Sequence, residues 1–138
     1  MAKRRVLVID DEPRVLDIVR YYLEQGGYEV EAYSRQEPAL AAARKAPFDV
    51  AALDIVLDGP SGYDVASELK KLKNTERVPV LFMSSKVEMA DLFLDSFEGR
   101  AEFILKPFKK ADFLEKIGLL VEGGGRRARK AAPKRRKS

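Results

Sequence analysis

Two hydrophobic periods alternate along the chain. Within "RRVLVID" the apolar run Val6–Ile9 is unbroken, which suits a strand buried on both faces. "EPRVLDIVRYYLEQGG" then places Val15, Leu16, Ile18, Val19, Tyr22 and Leu23 at helical spacing, with Pro13 suited to the first turn and Gly26–Gly27 to the stop. "YEVEAY" alternates with period two and predicts a second strand. "SRQEPALAAARKAP" predicts an alanine-rich helix, opened either by Ser34 and Glu37 at capping-box spacing or, because Pro38 falls late in that first turn, by Glu37 itself. The pattern continues with a strand in "FDVAALDIVL", a turn at "DGPSG", a helix in "YDVASELKKLK" and a strand in "VPVLFMSS". A helix in "KVEMADLFLDSFEG", a strand in "AEFILK" and a helix in "KKADFLEKIGLLV" complete it.

Five successive βα units predict an α/β fold: a doubly wound, five-stranded parallel sheet with five helices on its two faces. In such sheets functional residues collect at the carboxyl ends of the strands. Those ends carry Asp10 and Asp11 after the first strand, Asp54 after the third, Ser84 after the fourth, and Lys106 followed by Pro107 after the fifth. Asp10–Asp11 alone would read as a helix cap, Asp54 as a turn residue, Ser84 as a local cap and Lys106 as a solvated cation. Their joint placement along one sheet edge favours a site.

Composition narrows what that site can do. The 138 residues suffice for one domain with a real core. There is no cysteine and no histidine, so thiolate and imidazole metal sites, cysteine nucleophiles and phosphohistidine chemistry of the chain's own are excluded. A metal here is held by oxygen, which points to magnesium, calcium or manganese. No apolar stretch reaches membrane-span length and no signal peptide opens the chain, so no membrane insertion and a cytoplasmic location are expected. The net charge of +4 conceals a division: residues 123–138 carry eight Lys or Arg and no acid, leaving the remainder at −4.

Crowded carboxylates raise one another's pKa unless a cation offsets them. Two or three can ligate Mg2+, which takes a few oxygens and keeps several waters. Asp54 is then a candidate nucleophile, because a carboxylate can accept a phosphoryl group as an acyl phosphate. Such transfer depends on positioning and charge neutralisation, which Lys106 and a hydrogen bond from Ser84 would serve.

"VIDDEP", "ALDIVLDGPSG", "FMSS" and "ILKPF" together resemble the receiver domain of bacterial two-component response regulators, over roughly residues 4–122. In turn 44, 30 and 22 residues separate Asp10, Asp54, Ser84 and Lys106, as in that family. The resemblance implies a flavodoxin-like fold and phosphorylation at Asp54. It implies Mg2+ held by Asp10, Asp11, Asp54 and the backbone carbonyl of Val56. Ser84 and Lys106 would contact the phosphoryl group, and Phe103 stands where the family has a switch aromatic, usually tyrosine. The implied partners are a sensor histidine kinase or phosphotransfer protein as donor, and a downstream protein. A receiver of this kind is a regulator rather than an enzyme, catalysing only its own phosphorylation and dephosphorylation.

The sequence departs from the family at Asp58, where proline is usual, at Ser85, where alanine is usual, and in "EGRAEF" before the fifth strand. Val56 and Lys86 occupy positions that tune phosphoryl lifetime, and neither obviously orients water, which leans toward slow decay. An aspartate-nucleophile phosphatase fits less well, since Val56 stands where its general acid would be and no cap domain is evident. The expected organisation is a stand-alone receiver over 1–122 and a glycine-rich then basic tail over 123–138, disordered when free. That tail is either a solubilising end or a segment that binds nucleic acid or another polyanion nonspecifically, with the receiver as regulator.

Overall fold

The computed structural model describes residues 3–56, 61–86, 97, 99–123 and 126–127. Five parallel strands form the sheet: β1 (Arg5–Ile9), β2 (Glu29–Tyr33), β3 (Val50–Asp54), β4 (Val80–Ser84) and β5 (Arg100–Leu105). The described helices are α1 (Pro13–Gln25), α2 (Gln36–Lys45), α3 (Gly62–Lys70) and α4 (Lys110–Val121). The helix expected over 86–99 lies outside the described residues except at Lys86, Phe97 and Gly99, as does most of the "DGPSG" turn.

The strand order is β2-β1-β3-β4-β5, continued by a two-residue strand, β6 (Arg126–Arg127), antiparallel to β5. This sixth strand lies in the segment expected to be disordered, and the rest of that segment beyond Gly123 lies outside the described residues. The outer edge of β5 offers unpaired backbone groups, and Arg126–Arg127 pair with Ala101 and Arg100 there.

The apolar runs give the sheet its two faces. Leu7, Ile9, Ala51, Leu53, Val80 and Phe82 point to the side covered by α2 and α3. Val6, Val8, Val50, Ala52, Leu81 and Met83 point to the side covered by α1 and α4. β1, β3 and β4 are therefore buried throughout their apolar residues, as continuous hydrophobic runs require. Phe97 packs edge-on against Phe82, with ring centres 5.6 Å apart.

Ser34 does not cap α2. The helix opens one residue later, after an extended Arg35 that makes no side-chain cap bond. Pro38 then sits third in the helix, where its missing N–H would have had no intrahelical partner. A capping box does form at α3, where the Ser61 hydroxyl accepts from the Asp64 N–H and the Asp64 carboxylate accepts from the Ser61 N–H, both at 3.2 Å.

Candidate functional site

β1, β3 and β4 are adjacent in the sheet and end at one level, so the polar residues that terminate their apolar runs meet. Asp10 follows β1, Asp54 closes β3, Ser84 closes β4 and Lys106 follows β5. The crossings are fixed by backbone bonds: Ile55 N–H donates to the Met83 carbonyl at 2.9 Å and Lys106 N–H to the Ser84 carbonyl at 2.8 Å. The Lys106–Pro107 peptide is cis.

α3 starts hard against this edge. A Cβ on Gly62 would lie 2.2 Å from the carbonyl oxygen of Asp54, so only glycine fits where the helix meets the end of β3. Gly62 N–H donates to the Ile55 carbonyl at 2.9 Å and locks the approach.

The acidic cluster is organised rather than merely crowded. Asp10, Asp11 and Asp54 each present a carboxylate oxygen, all within 4.8 Å of one another. Asp10 is fully buried; its Oδ1 accepts from the Glu12 N–H at 2.9 Å. Asp54 is nearly buried, and its Oδ1 accepts from the Val56 N–H at 3.2 Å. The Lys106 ammonium lies 2.8 Å from Asp10 Oδ2, 3.4 Å from Asp54 Oδ2 and 3.4 Å from Glu12 Oε1. The Asp10 Oδ2 contact is an ion pair without hydrogen-bond alignment, and that buried oxygen has no hydrogen-bond partner.

Two opposite shifts result. Burial first, and then the Asp10 charge, push the Asp54 carboxyl up to about 6, although Lys106 and the Val56 N–H oppose them. Burial alone would lower the Lys106 ammonium, but the Asp10, Asp54 and Glu12 carboxylates outweigh it and raise its pKa. Among the described residues, Lys106 pairs with Asp10, Asp54 and Glu12, and Arg14 stands on the same cleft, too few cations to neutralise the four carboxylates.

That imbalance suits a divalent cation. The donor set is all oxygen, as hard cations prefer, and Asp10 Oδ2, ion-paired with Lys106 but without a hydrogen bond, has capacity left for such an ion. Among the described residues, Asp10, Asp11 and Asp54 are the side chains grouped closely enough to hold such an ion.

The cluster floors a cleft of about 560 Å3 that Asp11, Asp54, Ser84 and Lys106 line. The Ser84 hydroxyl accepts from the Lys86 N–H at 3.0 Å. Val56 is 56 % exposed on the rim. Phe103 stands apart, half-buried on β5 in register with Phe82 and packed toward α2 and α3. Sequence reasoning missed the apolar wall opposite the acids, built from Val15 and Ile18 of α1 with Pro107 and Phe108. Its signal was available, since α1 carries more apolar positions than one buried stripe needs. Glu12, in sequence only a neighbour of the acidic pair, is in the structure a further carboxylate beside Lys106.

Comparison with known proteins agrees with this arrangement. Residues 6–118 match the model of the response regulator receiver domain. The transcriptional regulatory protein CreB of Escherichia coli is 32% identical over 121 residues, 88% of this chain and 52% of that protein. The chain thus spans about half the length of the curated relatives it matches. Among solved structures, the Vibrio cholerae chemotaxis protein CheY4 superposes with a TM-score of 0.79 at 25% identity, covering 86% of this chain and 99% of that one. The Thermotoga maritima response regulator TrrA, solved in complex with Mg2+ and BeF, gives 0.73 at 29% identity, covering 85% and 98%. With most of its length matched and the strand-end residues gathered in one cleft, the chain belongs to the response regulator receiver domain family.

Proposed function

We propose that this receiver is a phosphorylation-driven signalling switch whose phosphoacceptor is Asp54. The supporting observation is the convergence of Asp10, Asp11, Asp54, Ser84 and Lys106 at one sheet edge, from four separate strand ends. With its carboxyl pushed up to about 6, Asp54 is still mostly ionised at neutral pH and available as a nucleophile. The phosphoryl donor is an external phosphohistidine, on a sensor histidine kinase or a phosphotransfer protein. An Asp54 oxygen forms the new P–O bond, the donor's P–N bond breaks, and the departing imidazole takes up a proton. Asp10, Asp11, Asp54 and the Val56 carbonyl would hold Mg2+, which would supply positive charge against the phosphoryl oxygens when bound.

Lys106 turns from its carboxylate partners toward the added phosphoryl group, and the Ser84 hydroxyl donates to it. Each then favours the surface arrangement in which it reaches the phosphate, so phosphorylation shifts an existing equilibrium. Phe103, near the end of β5, carries that change to a surface read by a downstream protein. The receiver occupies 1–122, with 123–138 as its basic extension.

The test is labelling with a small acyl-phosphate donor, read by intact mass. Wild type gains one phosphoryl group only when Mg2+ is present, and Asp54→Asn gains none. Equal labelling of both proteins would overturn the assignment.

A further inference from the structure

α1 begins without a side-chain cap. Glu12 occupies its N-cap position, where a short polar side chain commonly turns back to accept from the N–H groups of the first turn. The Glu12 carboxylate makes no such bond. The backbone there is held by other means: the Glu12 N–H donates to Asp10 Oδ1 at 2.9 Å, and the Glu12 carbonyl accepts from the Leu16 N–H at 3.1 Å. With Pro13 setting the first helical residue, the helix start is fixed and the carboxylate is left for another partner. It reaches across the cleft, where Oε1 accepts from the Lys106 ammonium at 3.4 Å.

The three acids around Lys106 are not equivalent. The side chain of Asp10 is 0 % exposed and that of Asp54 6 %, whereas that of Glu12 is 63 % exposed. Asp10 and Asp54 are fixed in the floor of the cleft, each with its Oδ1 accepting from the backbone N–H two residues on. Among the described residues the Glu12 carboxylate pairs with Lys106 alone. An exposed pair of this length is weak and easily exchanged. Lys106 must loosen its carboxylate contacts to meet a phosphoryl group on Asp54. Asp54 is itself changed by that event, and Asp10 belongs to the group suited to a metal ion. The Glu12 contact is therefore the one that competes for Lys106 without being part of the reacting set.

We propose that Glu12 is a positioning residue: it holds Lys106 at the cleft mouth while Asp54 is unmodified, competes with the phosphoryl group for that ammonium, and so restrains the switch. The inference rests on the reading of Asp54 as phosphoacceptor. It makes reach matter as well as charge. Aspartate at this position keeps the charge but is one methylene shorter, against a contact already at 3.4 Å. It also suits the N-cap, where its carboxylate turns to the first-turn N–H groups of α1. Glutamine keeps the length and removes the charge. Both changes release Lys106, by different routes.

The experiment titrates the full chain, in saturating Mg2+, with beryllium fluoride, a tetrahedral stand-in for a phosphoryl group, and reads the bound fluoride by 19F NMR. Glu12→Gln and Glu12→Asp each tighten binding about two- to fivefold, the range that an exposed ion pair supports. In a Lys106→Met background, Glu12→Gln gives no such gain. Thermal melts of each variant establish that it is folded, and damage to the fold would weaken binding rather than tighten it. A gain with glutamine but none with aspartate would assign the effect to charge near the anion and overturn the proposal. Unchanged or weaker binding by Glu12→Gln, or a gain that persists with Lys106→Met, would overturn it too. Should Lys106→Met bind too weakly to titrate, the comparison of aspartate with glutamine decides. Asp54→Asn separates the two readings: equal binding by that variant and wild type would strike the assignment of Asp54, whereas its loss of binding leaves a failure at Glu12 to count against Glu12 alone.

Discussion

The two ends of the sheet are built from the same strands and carry opposite charge under opposite conditions. At the carboxyl end, Asp10 and Asp54 are buried and desolvated, and among the described residues both pair with Lys106. At the amino end, Arg44, Lys45, Lys73 and Arg77 are exposed, so water screens their mutual repulsion. The first arrangement costs folding free energy and makes the cleft responsive to whatever neutralises it. The second costs little. The difference between burial and exposure, more than the sign of the charge, decides which end of the sheet carries an electrostatic cost.

The sharpest way to break the contrast is at the close approach beside Asp54. Gly62→Ala drives a methyl into the Asp54 carbonyl, and neither backbone can yield cheaply. We expect a net loss of about 2–4 kcal/mol in urea denaturation, after allowing for alanine's better helix propensity. Unchanged stability would show that the sheet edge is looser than the close approach implies.

A smaller effect isolates the electrostatic cost. The Asp54 carboxyl is raised from 3.8 to about 6, so between those values the folded state binds more protons than the unfolded chain. Metal-free stability from this group therefore falls as pH rises through that window, and the penalty is fully present above it. The shift sets a ceiling of about 3 kcal/mol, and with solvent reaching the cleft we expect Asp54→Asn to gain about 1 kcal/mol at pH 7 in chelator. The gain should shrink by pH 5 and be offset when Mg2+ is added to wild type. A gain that ignores pH would assign it to packing instead.

The smallest expected change serves as the control. Gly118 lies within α4, and a Cβ there meets nothing within 4 Å. Gly118→Ala should stabilise by about 0.5–1 kcal/mol through helix propensity, equally with and without Mg2+. A Mg2+-dependent gain would mean that α4 is coupled to the cleft.

Much of the fold and the site is legible in sequence. Strands buried on both faces announce themselves as unbroken apolar runs, and each run ends within a residue or two of its observed terminus. The site residues are readable because each interrupts such a run with a charge or hydroxyl. What is not readable depends on tertiary distance. In sequence Asp10 and Asp11 are the crowded acids and Asp54 stands alone between Leu53 and Ile55, yet the folded geometry gives Asp10 the closest approach to Lys106 and leaves Asp54 raised. The Ser34 capping box fails because Arg35 already supplies the extended residue before α2, whereas the Ser61–Asp64 box is hidden inside a turn-like stretch. Asn74 carries no signal at all, since its partners Ala43 and Arg44 are 31 and 30 residues distant.

The strand order also sets a sequence in time. β1 is made first but lies between β2 and β3, with Val6 opposite Val50 and Ile9 opposite Leu53. During synthesis, Asp10 stays without Asp54 until the chain has grown past β3, and Lys106 arrives only after β5. A nascent chain stalled between those points would hold the acids without their cation, so their mutual repulsion would bear first on its folding.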